Sequence, residues 1–122
     1  MAEGGVMAEA MRETVYKLTR ADLTTYNGYQ WVVGEERRFP GNGELCTAAY
    51  AHAYRSPALA AMMYPAHGDY NPALLFRAGA VVEKDDGTKI GCTVLTLIEQ
   101  VELPRPSVEQ RIEFGIRATL AV

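Results

Sequence analysis

Cys46, His52, His67 and Cys92 are the two cysteines and two histidines of this 122-residue chain. They are the side chains best suited to bind a borderline metal, or to act as nucleophile and base. Four such ligands could compose a zinc site, but no pair has the Cys-x-x-Cys or His-x-x-x-His spacing that pre-positions two of them. No metal is therefore expected, and Cys92, between Ile90 and Val94, reads as a buried, inert thiol. Cys46 and His52 lie six residues apart, and an extended chain would hold them too far apart to work as a pair. Neither a Gly-x-Ser-x-Gly elbow nor a phosphate loop ending in Lys-Ser or Lys-Thr is present. Gly41-Asn42-Gly43 reads as a surface turn. His52, at a strand end, and His67, in the loop from Pro65 to Tyr70, read as local hydrogen-bonding residues.

The polar aromatics are the more unusual feature, with seven tyrosines against three phenylalanines and one tryptophan. Tyr26, Tyr29 and Trp31 cluster near a turn, and Tyr50, Tyr54, Tyr64 and Tyr70 flank a short helix. Tyrosine joins a large apolar body to a hydrogen-bonding tip, which suits both half-buried sheet positions and recognition surfaces. Both readings stay open. On the second, the binding residues are Tyr26, Tyr29, Trp31, Tyr50, Tyr54 and Tyr70.

The elements that must position these residues follow from pattern and punctuation. Residues 1–13 are expected to be a flexible tail and residues 14–122 one domain. Tyr16 and Leu18 alternate with Val15 and Lys17 as in a strand. Asn27-Gly28 marks a turn before the β-prone Tyr29 to Val33, so these two strands are expected to form a hairpin-like pair around a loop from Arg20 to Tyr26. Phe39 to Gly43 is loop, and Leu45 to Tyr54 is expected to be extended. Ser56-Pro57 starts a short buried helix through Met63, which Pro65 should end. Leu74 to Phe76 and Ala80 to Val82 read as strand. Asp86-Gly87 then turns the chain into the longest strand, Ile90 to Val101, with Ile90, Cys92, Val94, Thr96 and Ile98 on one face. Ser107-Val108-Glu109-Gln110 is a capping box, and Val108, Ile112 and Ile116 are spaced as the core stripe of a C-terminal helix. Strands and helices in this order give an α+β domain with a short antiparallel sheet.

Composition narrows the function classes. Hydrophobic residues are 48% and charged residues 22%, so a packed core is expected. The formal net charge of −3 argues against non-specific binding to nucleic acid, because Glu35-Glu36 offsets the adjacent basic pair Arg37-Arg38. No run reaches the roughly twenty apolar residues of a membrane span, and the first residues resemble neither signal peptide nor anchor. The expected compartment is the cytoplasm.

Several motifs recur together: Tyr16-Lys17-Leu18-Thr19, Asn27-Gly28-Tyr29-Gln30-Trp31, Glu44-Leu45-Cys46, His52-Ala53-Tyr54, Ser56-Pro57 and Pro65-Ala66-His67. Further on come Lys84-Asp85-Asp86-Gly87, Gly91-Cys92-Thr93, Leu103-Pro104 and Glu109-Gln110-Arg111. Over about Val15 to Ile116 the pattern resembles a family of small uncharacterised proteins of bacteriophages and prophages. Thr47-Ala48-Ala49-Tyr50 departs from it where a glycine and a bulky residue are expected. The resemblance implies an accessory protein that binds a host or defence protein complex as an inhibitor, as anti-CRISPR proteins do, in the bacterial host cytoplasm and with no cofactor. The alternative is an enzyme, in degenerate or active form, since the element order faintly resembles an ADP-ribosyltransferase. That fold would use an aromatic against nicotinamide and a glutamate on ribose. His52, Tyr54, Glu99 and Glu102 would then be the catalytic residues and NAD the cofactor. A homo-oligomeric structural protein is the third reading.

Overall fold

The computed structural model describes residues 12–67 and 73–120. These described residues form seven strands: β1 (Glu13–Arg20), β2 (Thr24–Thr25), β3 (Tyr29–Gln30), β4 (Arg37–Arg38), β5 (Ala51–Ala53), β6 (Ala73–Asp85) and β7 (Ile90–Val101). Two α-helices accompany them, α1 (Pro57–His67) and α2 (Val108–Leu120). The main sheet is antiparallel in the order β1-β6-β7-β4, with β5 also paired to β7. The domain is therefore α+β.

β6 and β7 form the long central hairpin, and its turn is set by sequence. Asp86 Oδ1 accepts the amides of Thr88 at 2.9 Å and Lys89 at 2.7 Å. Gly87 takes φ +94°, a left-handed conformation that costs a glycine little. On the far edge of β7, β5 pairs with Ile90 to Cys92 and β4 with Val94 and Leu95. Beyond β5 the chain meets the outer edge of β1, where Tyr16 and Tyr54 exchange backbone bonds of 2.7 and 2.9 Å. That contact closes the circuit β1-β6-β7-β5 at one point.

A roll this narrow has little interior space, and its inward residues are small accordingly. Ala51, Ala53, Ala78, Ala80 and Cys92 are buried there with Val15, Phe76, Ile90, Leu95 and Leu97, and Trp31 fills the remainder. A second cluster lies on the opposite face of β1. Leu18, Tyr54 and Leu75 pack there against Ala60 of α1, with Tyr16, Leu59, Met63, Val101 and Leu103 around them. β1 is thus buried on both faces.

The structure departs from the sequence reading in five places. First, β1 does not form a hairpin with the segment after Asn27-Gly28; it pairs over its full length with β6, from Glu13 opposite Ala80 to Arg20 opposite Ala73. The Asn-Gly turn joins only the two-residue strands β2 and β3, and the eight-pair ladder buries far more surface. Second, 45–49 is turn and not strand, since Cys46 adopts φ +70° and bends the chain back. Third, α1 continues through Pro65 to His67, because a proline in the last turn removes one amide bond near the helix end, where few more would follow. The helix is buried on one side only: Ala60 and Ala61 are inside and Ala58 is exposed. Fourth, the face of β7 switches midway. Val81 lies opposite Val94 and Val82 opposite Cys92, so Thr93 is an extra residue, a β-bulge that flips the residues after it as far as Ile98, a second extra residue between the pairs Ala78–Leu97 and Arg77–Glu99. The inward set becomes Ile90, Cys92, Leu95 and Leu97, while Ile98 is exposed. Fifth, the α2 stripe is not core, as described below.

Gly91 shows how tightly the 44–50 segment sits on the sheet. A Cβ there would lie 2.8 Å from Leu45 Cδ1 and 2.9 Å from Tyr50 Cγ. Gly91→Ala should cost about 2 kcal/mol by overpacking, measured by urea denaturation; a change near zero would mean that the segment yields freely.

Candidate functional site

Val15, Lys17 and Thr19 alternate along one face of β1, and all three are buried. For Lys17 this places an ammonium inside the roll. Its Nζ donates to the backbone oxygen of His52 at 2.6 Å and stands 5.7 Å from the centre of the Trp31 ring, within cation–π range. Burial pulls the Lys17 ammonium down from 10.5 to about 8; Cys92 opposes this in part and Lys89 adds to it. The same burial pushes the Cys92 thiol up to about 12, against the pull of Lys17. A lysine near its midpoint at neutral to mildly basic pH has the chemistry of a base or an amine nucleophile. This one is 7% exposed and committed to groups of its own core, so its role is to tie β1 to β5. Nothing in the sequence separates Lys17 from an outward-facing strand lysine, because both faces of β1 are covered.

His52 is the other end of that tie. Its Nε2 accepts the backbone amide of Cys46 at 2.8 Å, which requires an unprotonated Nε2. The six-residue separation is therefore no barrier: the left-handed turn at Cys46 returns the chain to the imidazole. His52 acts as a local hydrogen-bonding residue, and burial first, then Lys17 and Lys89, bring it down to about 4 against the opposing pull of Asp86. Cys46 is exposed and Cys92 buried. Among the described residues, no three His, Cys, Asp or Glu side chains are arranged to hold a metal.

The aromatic residues separate into core and surface. Trp31, Tyr50 and Tyr54 are 2%, 3% and 4% exposed, so they are packing residues and offer no recognition surface. Trp31 Nε1 donates to Thr25 Oγ1 at 2.9 Å, and its ring centre lies 5.1 Å from that of Tyr29 and 5.9 Å from that of Phe39. Tyr29 is half-buried against this cluster. Tyr26 is 77% exposed. Tyr70 lies outside the described residues. Of the residues assigned to NAD chemistry, Tyr54 sits in the cluster under α1 while Glu99 and Glu102 are exposed. Glu99 is held by Arg77 at 2.9 Å, and Glu102 lines an open groove of about 410 Å³ with Leu74, Val101 and Arg105.

Three of the exposed large apolar side chains stand together on α2. Its capping box forms as the sequence requires: Gln110 donates its amide to Ser107 Oγ at 3.1 Å, and Ser107 donates its own to Gln110 Oε1 at 2.8 Å. Yet Val108, Ile112 and Ile116 are 74%, 58% and 55% exposed. The stripe expected in the core faces solvent. Arg111, whose Nη1 donates to the backbone oxygen of Met62 at 3.4 Å, links the helix to the middle of α1. The periodicity of a helix shows that it has an apolar face; whether its own domain covers that face is a tertiary matter.

Among the described residues no helix is long and apolar enough to cross a membrane. No curated protein and no solved structure is similar to the chain. One family model, a domain of unknown function termed DUF7666, matches residues 13–107. The match opens at the first residue of β1 and closes just before α2, so it takes in the whole roll. By that match the chain belongs to the DUF7666 family.

Proposed function

We propose that this protein is a binding module, a DUF7666 roll that attaches to a protein partner through the apolar face of its C-terminal helix. The observation that carries the reading is the exposed stripe of Val108, Ile112 and Ile116 on a well-capped helix. Covering such side chains contributes roughly 1–2 kcal/mol each at this exposure. That helps recognition and falls short of the roughly 8 kcal/mol of a micromolar complex, so flanking polar contacts must supply the rest. Glu109, Glu113 and Arg117 stand four residues apart beside the stripe, with Arg117 on Glu113 at 2.7 Å, and can provide them. The helix lies beyond the span of the family match, as an added recognition element would. The resemblance to phage-borne proteins nominates a host enzyme or defence complex as the partner to try first.

The test is the double substitution Ile112→Asp and Ile116→Asp. Stability should change by no more than about 0.5 kcal/mol, since neither side chain is core, while a partner retained stoichiometrically by the wild type should be lost. Undiminished retention would reject the helix face as the binding surface. A large loss of stability would show that the stripe is covered within its own chain.

A further inference from the structure

We propose that the His52 imidazole is an acid-released latch that holds the 44–49 segment down on β7. The geometry is specific. The segment rests on the sheet where Gly91 leaves room for Leu45 and Tyr50, and the Cys46 amide is fixed to His52 Nε2 at 2.8 Å. His52 is itself immobilised, because it lies in β5 opposite Gly91 and its carbonyl receives the Lys17 ammonium. One residue therefore holds two elements, β1 through its backbone and the 44–49 turn through its ring. The ring is the only titratable part.

Protonation at Nε2 replaces an acceptor with a donor and sets it against the Cys46 amide. That bond cannot survive, and its loss removes the roughly 0.5–1.5 kcal/mol of a net hydrogen bond that holds this otherwise exposed residue in place. The backbone at Cys46, at φ +70°, is a conformation that non-glycine residues adopt at a cost, so it tends to relax once the bond is gone. The charged groups facing the ring are Lys17 from β1 and Lys89 and Asp86 from the β6–β7 turn, and among the described residues no carboxylate pairs with the ring directly. The two lysines oppose protonation and Asp86 favours it. The latch consequently stays shut at neutral pH and opens well below the usual histidine range.

Release should be local, because the ladders of β6 with β1 and β7 contain no histidine. Lifting the 44–49 turn would uncover Leu45 and the Gly91 surface of β7. The experiment is an NMR titration of the nitrogen-labelled full chain from pH 7 to 3.5, following the His52 ring, the Cys46 amide and the Trp31 indole. The expected result is one transition with a midpoint near pH 4, in which the Cys46 amide loses its hydrogen-bonded shift together with His52 while Trp31 and β6 stay in place. In His52→Gln, whose amide oxygen can accept without titrating, that transition should vanish. The proposal is overturned if the Cys46 amide is unmoved while the ring protonates. It is equally overturned if Trp31 and β6 melt in the same step, or if His52→Gln keeps the transition.

Discussion

Trp31→Ala should remove about 3–5 kcal/mol of folding stability, a third or more of what a domain of this size is expected to possess. Trp31 is the largest fully buried side chain, and it fills a roll whose other walls include four alanines. Three further contacts go with it: the indole bond to Thr25 Oγ1 at 2.9 Å, the rings of Tyr29 and Phe39, and the face it offers to Lys17. The check is urea denaturation followed by far-ultraviolet circular dichroism, as the variant lacks its fluorophore. Tyr26→Ala, at a residue 77% exposed, should change stability by about 0.5 kcal/mol or less. Similar midpoints for the two variants would refute the placement of Trp31 at the centre of the core.

Wild-type stability should rise relative to Lys17→Met as pH increases from 8 to 10.5, by about 3 kcal/mol at the upper end. The sign follows from proton counts. Below pH 8 the lysine is protonated folded and unfolded, and the penalty for burying the ammonium is present in full. Between about 8 and 10.5 the folded state has released the proton and the unfolded state has not, so stability climbs with pH. Above 10.5 both are neutral and the penalty is gone. Cys92 works in the opposite direction: its folded thiol holds the proton up to about 12 against an ordinary 9.0. Its contribution is present below pH 9 and is lost between 9 and 12. The wild type should therefore gain stability from pH 8 to 9, level off, and lose it above 10.5. The difference from Lys17→Met isolates the lysine. Methionine keeps much of the length and volume and leaves only the His52 carbonyl without its donor, a cost of about 1–3 kcal/mol at every pH. A pH-independent difference would mean that Lys17 reaches water in the folded protein.

The sequence by itself determined the elements whose signals are local. Asp86-Gly87 encodes a turn through the carboxylates of Asp85 and Asp86 and one left-handed glycine, and the strand after it begins at Ile90 and ends at Val101, as its pattern requires. Ser56-Pro57 starts a helix, and Ser107 with Gln110 caps another, because each cap needs only residues three apart. The α+β class follows from these pieces. What only tertiary structure decided was which side of each piece faces what. The bulge at Thr93 changes the face of β7 through its register with Val81 and Val82 on the facing strand, which the pattern of β7 alone does not reveal. Lys17 and Thr19 are inside because their face of β1 looks into the roll, where Trp31 and β5 meet it. Tyr50 and Tyr54 are core because β5 closes the circuit back to Tyr16. Ile112 and Ile116 are outside because, among the described residues, no other element lies over them. Local signals set backbone conformation, which neighbours in sequence control; burial depends on what arrives from elsewhere in the chain, and periodicity is the same whether an apolar stripe meets its own core or stands open to a partner.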